Sequence, residues 1–141
     1  MAEGIHIEIV SPEKLILAED ARSVAVPGTE GYFTVLGDHA PLMTTLKPGF
    51  ITVVRADGST RTFYVRGGFA DVSPEGLTIL AEEASSFADF DRAAIEKALS
   101  DAQEQLARAE SFEDKSFAQE LVSGWMNLMM EAGQIDEAHI H

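Results

Sequence analysis

The sequence predicts an α+β protein: an N-terminal antiparallel β-sandwich of about ten strands, then a C-terminal antiparallel two-helix hairpin. Apolar residues alternate with a period of two in many short runs up to residue 86, the mark of strands with one buried face. Pro, Gly and Asp-Gly turns punctuate these runs at close spacing, as in sandwiches and barrels. After Ser85-Ser86 the apolar period becomes helical.

The strand runs follow in order. Ile5, Ile7 and Ile9 alternate with His6 and Glu8. Leu15 to Leu17 and Val24 to Val26 give two more short runs. Pro27-Gly28-Thr29-Glu30-Gly31 and Gly37-Asp38-His39-Ala40-Pro41 bracket the run Tyr32 to Leu36. Leu42 to Leu46 precedes a third turn, Lys47-Pro48-Gly49. Phe50 to Arg55 and Thr60 to Val65 flank Asp57-Gly58, a hairpin signal because tight turns need positive φ angles. Phe69 to Ser73 and Leu77 to Ala81 form a last hairpin around Pro74-Glu75-Gly76. No helical stripe interrupts them, which argues against a parallel α/β sheet. Gly67-Gly68 lacks a following Lys-Ser/Thr and a helix start, so it reads as a close approach of two backbones, not a phosphate loop.

Asp89 or Asp91 is the expected cap of the first helix. Ile95, Ala98, Leu99, Ala102, Leu106 and Ala109 mark its packing face. Ser111-Phe112-Glu113-Asp114 breaks the pattern and has the spacing of a second cap. Phe117, Leu121, Trp125, Leu128 and Ala132 are the expected second stripe, with Gly133 as the stop and two helices of matched length. Met126, Met129 and Met130 cluster, and methionine suits a surface that repacks against more than one neighbour. The expected organisation is a sandwich over 1–86 and a hairpin with a loose C-terminal tail over 87–141.

Bulk properties bound the function. At 141 residues and 45% hydrophobic composition the chain has the make-up of a packed domain with an appendage. It has no cysteine, so disulfides and thiolate zinc sites are excluded. The net charge of −14 opposes binding to nucleic acid or to an anionic lipid surface. The acidity is uneven: residues 88–141 carry 12 acids and 4 bases. No run is long and apolar enough to span a bilayer, and Met1 to His6 shows no secretory pattern. The expectation is a soluble, cytosolic protein.

No constellation for catalysis is visible. His6 is expected to point outward beside inward isoleucines, and His39 lies in a turn. His139 and His141 end the chain without rigid support for a metal. Ser11 precedes Pro12-Glu13 with no base in view, and Glu82-Glu83 point to opposite faces of a strand end. No cofactor is expected.

Ser11-Pro12-Glu13, the segment from Pro27-Gly28-x-x-Gly31 to His39-Ala40-Pro41-Leu42, Lys47-Pro48-Gly49 and Gly67-Gly68-Phe69-x-x-Val72 occur in that order. Leu80-Ala81-Glu82 then leads into Asp89-x-Asp91 and the helices. In this ordered combination the chain resembles the epsilon subunit of F-type ATP synthases. The resemblance implies a noncatalytic subunit of the rotating central stalk, coupling ion-driven rotation of the c-ring to ATP synthesis. It implies as partners the gamma subunit, the polar loops of the c-ring, and the alpha and beta subunits of the catalytic head. It places the chain at the cytoplasmic face of a bacterial inner membrane without lipid contact, and as a monomer when isolated. Glu30, Tyr32 and His39 are the implied rotor-contact residues.

In some members of that family the folded hairpin binds ATP through an Asp-x-x-Arg-Ala motif. Here Asp91 is kept, but Ala94 stands in place of the arginine and Arg92 comes two positions early. Weak or absent nucleotide binding is expected. Inhibitory hairpins of the family carry a basic second helix, whereas Glu113 to Glu131 holds four acids and one base. Weak or no inhibition is therefore expected. The alternative is a stand-alone sandwich whose acidic hairpin recruits a basic protein partner.

Overall fold

The computed structural model describes residues 4–140, with side chains described through Ile135. Ten strands precede two helices: β1 (Ile5–Val10), β2 (Leu15–Ala21), β3 (Ser23–Gly28), β4 (Gly31–Val35), β5 (Leu42–Thr45), β6 (Gly49–Val54), β7 (Thr60–Arg66), β8 (Phe69–Ser73), β9 (Gly76–Leu80), β10 (Glu83–Ser86), α1 (Arg92–Arg108) and α2 (Phe112–Ile140). A single 3-10 turn, Phe87–Asp89, separates β10 from α1. The chain divides into two compact units, with the boundary between Phe90 and Asp91.

The first unit is a sandwich of two five-stranded sheets, ordered β2-β1-β9-β8-β5 and β10-β7-β6-β3-β4. Every pairing is antiparallel but one, the parallel pair β1–β9. Alternation sets the inner faces. Ile5, Ile7 and Ile9 of β1 meet Leu77, Ile79, Ala70 and Val72 in a core shared with Val24, Val26, Ile51, Val53, Phe63 and Val65 of the other sheet. Each fully buried Ile or Val contributes roughly 1.5–3 kcal/mol relative to exposure.

Gly68 shows why two backbones meet where the glycine pair stands. Its φ is +87°, and a Cβ there would lie 1.8 Å from the Leu80 carbonyl oxygen. The Ala56 to Ser59 turn forms as expected: the Gly58 amide donates to the Arg55 carbonyl at 2.9 Å, and the Asp57 carboxylate accepts from the Ser59 amide. Arg55 reaches back to β2, donating to both Glu19 carboxylate oxygens at 2.7 and 3.0 Å. Its guanidinium holds the Glu19 carboxyl below the usual range.

At one end the outer face of the second sheet is also apolar. Phe50 and Tyr64 pair across β6 and β7 and are buried. The ring of Phe87 stands 5.6 Å from that of Phe50, and the ring of Phe90 lies 5.2 Å from Phe50 and 4.9 Å from Tyr64. The residues just after Ser86 thus belong with the sandwich.

In the second unit α1 and α2 pack along each other through a three-residue connection, Ala109 to Ser111. Asp91 caps α1 by accepting from the Ala94 amide at 3.0 Å. Ser111 Oγ accepts from the Asp114 amide at the start of α2, also at 3.0 Å. The α1 face is the expected one, with Ile95 and Ala102 buried. The α2 face matches the expected stripe at Leu128 and Ala132 but is turned by one position in its first turns, where Ala118 and Val122 take the place of Phe117 and Leu121. Ala118, Val122, Leu128 and Ala132 are buried, whereas Phe117 is 57% exposed. Small side chains let helices approach closely, so Ala118 takes the inner place that hydrophobicity alone gave to Phe117. Nor does Gly133 end the helix: α2 continues to Ile140, giving 29 residues against 17 in α1. The expectation for His139 and His141 falls outside the described side chains.

Candidate functional site

Two features of the sandwich qualify as contact surfaces. The first is the pair of edge strands β4 and β5 with the turns at their ends. Pro27 and Gly28 close β3, Thr29 and Glu30 form the tip, and Gly31 opens β4. The tip is pinned to the end of β5: the Thr29 amide donates to the Thr45 carbonyl at 3.0 Å, and the two threonine hydroxyls lie 2.9 Å apart. Glu30 is exposed at this tip.

Tyr32 follows at the start of β4. Its hydroxyl accepts from the Phe50 amide at 3.0 Å, and the Lys47 ammonium lies 5.1 Å from its ring centre. Gly49 makes the approach possible, since a Cβ there would fall 2.7 Å from the Tyr32 hydroxyl. His39 lies past the other end of β4, in a turn closed by its own amide on the Leu36 carbonyl at 3.0 Å. Its Nδ1–H donates to the Ala40 carbonyl at 2.7 Å, which makes Nε2 the acceptor nitrogen of that tautomer. The His39 ring comes within 6.3 Å of Phe33.

The three residues are not all in one groove. Glu30 and Tyr32 share a shallow groove of about 270 Å³ with Gly28, Phe33, Leu42 and Thr44, between the two edge strands. His39 does not line that groove but reaches its edge through Phe33, whose ring lies 6.3 Å from the imidazole.

The second feature was not singled out in the sequence. Strand register lines up Leu15, Val10, Leu80, Phe69 and Thr45 across β2, β1, β9, β8 and β5. All five point away from the core. Leu15 is 57% exposed, Leu80 39% and Phe69 37%, and Met43 in the adjoining row is 63% exposed. A continuous apolar row on an outer sheet face is unusual for a solvated surface. The signal was present as apolar residues at outward positions of period-two strands, where polar ones are the rule.

The remaining candidates have structural settings. His6 points outward as expected, beside Asp20 at 2.9 Å and Glu8 at 3.3 Å. Its pKa is raised, first by the hydrogen bond to Asp20. Asp91 uses a carboxylate oxygen as the α1 cap, on the amide of Ala94. Among the described residues no group of three or more His, Cys, Asp or Glu side chains could hold a metal ion. None of the described helices is long and apolar enough to cross a membrane.

The fold is a two-sheet sandwich with an apolar outer row, followed by a two-helix hairpin. The family model of the ATP synthase delta/epsilon chain β-sandwich domain matches residues 4–87. The ATP synthase epsilon chain of Mesorhizobium japonicum is 45% identical over 123 residues, covering 87% of this chain and 91% of the relative. That of Brucella canis is 43% identical over 128 residues, covering 91% and 95%. A chain in the cryo-EM structure of Euglena gracilis mitochondrial ATP synthase, OSCP/F1/c-ring, superimposes with a TM-score of 0.68 at 23% identity, over 98% of this chain and 82% of that one. A chain in the central stalk/c-ring structure of Tetrahymena thermophila mitochondrial ATP synthase gives 0.61 at 15% identity, over 92% and 96%. At those identities the likeness concerns the fold. This chain belongs to the ATP synthase epsilon-chain family.

Proposed function

We propose that this chain is a noncatalytic central-stalk subunit of an F-type ATP synthase, coupling rotation of the c-ring to ATP synthesis in the catalytic head. The apolar row from Leu15 to Phe69 carries this reading. It is a flat, desolvation-ready surface of the kind that holds a permanent partner, and the gamma subunit is the partner we assign to it. The β4–β5 edge, with Glu30 at one end and His39 at the other, faces the polar loops of the c-ring. The alpha and beta subunits join through the same assembly. The site is peripheral to the membrane at its cytoplasmic face, and no contact with lipid or nucleic acid is required. Nucleotide binding at Asp91 forms no part of this role.

The test separates the two surfaces. Phe69→Ser with Leu80→Ser should weaken capture of recombinant gamma by at least about tenfold, the loss expected when central apolar anchors are truncated. Glu30→Ala with His39→Ala should leave gamma capture unchanged and lower ATP-driven ion pumping relative to ATP hydrolysis in reconstituted complexes. Gamma capture unaffected by the first pair would remove the apolar row from the interface.

A further inference from the structure

The outward face of α2 carries a second pattern, independent of the buried stripe. Phe112, Ser116, Gln119, Ser123, Met126 and Met130 are spaced four, three, four, three and four residues apart, and all six are exposed. That alternation is the a/d spacing of a coiled-coil seam. It runs for about 27 Å along the helix. None of the six is charged, although the whole chain carries −14. From Leu121 to Met130 no face of α2 is charged, so the line is set apart in its first half, where Glu113, Asp114, Lys115 and Glu120 flank it without entering it.

One edge of the seam is acidic. Glu113 and Glu120 follow Phe112 and Gln119 by one residue, the e positions of the repeat, and Asn127 continues the line. Both glutamates are exposed. Charges at these positions select the partner and its orientation in helix pairs. We propose that this face of α2 is a docking seam for an amphipathic helix of a partner protein that carries lysine or arginine beside its own apolar line. Met126 and Met130 supply the adaptable apolar contact. Ser116 and Ser123 let the partner backbone come close. The Gln119 amide, which donates to Ser123 Oγ at 3.2 Å, keeps the middle of the seam polar, so the contact is a reversible one.

A second copy of this chain fits less well. It would offer a single base at the facing positions, Lys115, and would bring together two chains of like charge.

The test uses the full chain and two synthetic helical peptides of about three heptads. Both carry the same Leu/Ala seam, one flanked by Lys and the other by Glu. Amide chemical-shift mapping should place the Lys-flanked peptide on the Phe112 to Met130 face, with no comparable shifts from the Glu-flanked one. Met126→Gln with Met130→Gln should weaken the Lys-flanked peptide at least about fivefold, while Met126→Leu with Met130→Leu should bind it as well or better. Glu113→Gln with Glu120→Gln should abolish the preference between the peptides. All substituted positions are exposed, so helicity serves as the folding control, and the leucine pair tests the seam even if the glutamine pair loses helix. Equal binding of both peptides, shifts centred on α1, or concentration-dependent dimers broken by the same variants would each overturn the proposal, the last by assigning the seam to a second copy. Gamma capture through Phe69 and Leu80 is read separately, so either result stands without the other.

Discussion

The chain has two tyrosines, and their surroundings give them different work. Tyr32 is partly exposed and spends its hydroxyl on the Phe50 amide, 18 residues away in sequence. Nothing in a linear reading could find that bond, because β3 lies between β4 and β6 in the sheet and the Tyr32 side chain reaches across it to the start of β6. Tyr64 is buried under Phe90. Burial is the largest cause pushing its phenol up to about 12 from an ordinary value near 10. The consequence for stability has a definite sign. The folded state holds the neutral phenol, whereas the unfolded chain ionises near 10. The stabilisation is therefore complete below pH 10 and is lost as the pH rises through about 12. Tyr64→Phe should flatten this alkaline limb while leaving the slope near neutrality alone, as measured by denaturant unfolding at a series of pH values. An unchanged alkaline limb would mean that other groups govern it.

At the scale of elements, the helix starts were legible because capping is local chemistry. Asp91 and Ser111 each bond an amide three residues on, a distance that sequence spacing states directly. Asp91→Ala and Ser111→Ala should each cost about 1 kcal/mol, the usual loss for a cap, seen as reduced helicity and an earlier thermal transition of the hairpin. Asp91→Asn should retain most of it, since asparagine caps about as well. An Asn variant as damaged as the Ala variant would show that Asp91 acts through its charge and not as a cap. Other elements were less legible for reasons that are also physical. The first turns of the α2 packing face are read one position off when Phe117 outweighs Ala118, because close helix packing rewards small side chains that hydropathy undervalues, whereas Leu128 and Ala132 were placed correctly. Strand β10, Glu-Ala-Ser-Ser, has no alternation of its own and exists through its ladder with β7. The parallel β1–β9 pair joins segments about seventy residues apart, and no local signal encodes it. Of the candidate contact residues, Glu30, Tyr32 and His39 came from the family resemblance alone, whereas the Leu15 to Phe69 row needed the cross-strand register.

For the whole molecule the decisive quantity is the distribution of charge between two compact units. Residues 88–141 carry 12 acids and 4 bases, and α2 opens with Glu113 and Asp114. Inhibitory hairpins of the resembled family use a basic second helix to meet an acidic stretch of the catalytic head. An acidic helix offered to an acidic surface is repelled, and juxtaposed like charges cost several kcal/mol. The hairpin should therefore inhibit ATP hydrolysis little or not at all. Truncation tests this if the cut respects the sandwich. The rings of Phe87 and Phe90 cover Phe50 and Tyr64, so a chain ending at Ser86 would expose the outer face of a sheet and confuse lost inhibition with lost stability. A chain ending at Phe90, where the two units divide, keeps that cover. In the assembled complex it should hydrolyse ATP within about twofold of the full-length form, the outcome expected if like charge keeps the removed unit off the head. A several-fold rise would mean that α2 reaches the head through its charge-free seam despite the surrounding acids, and the electrostatic argument would fail at the point where it is strongest.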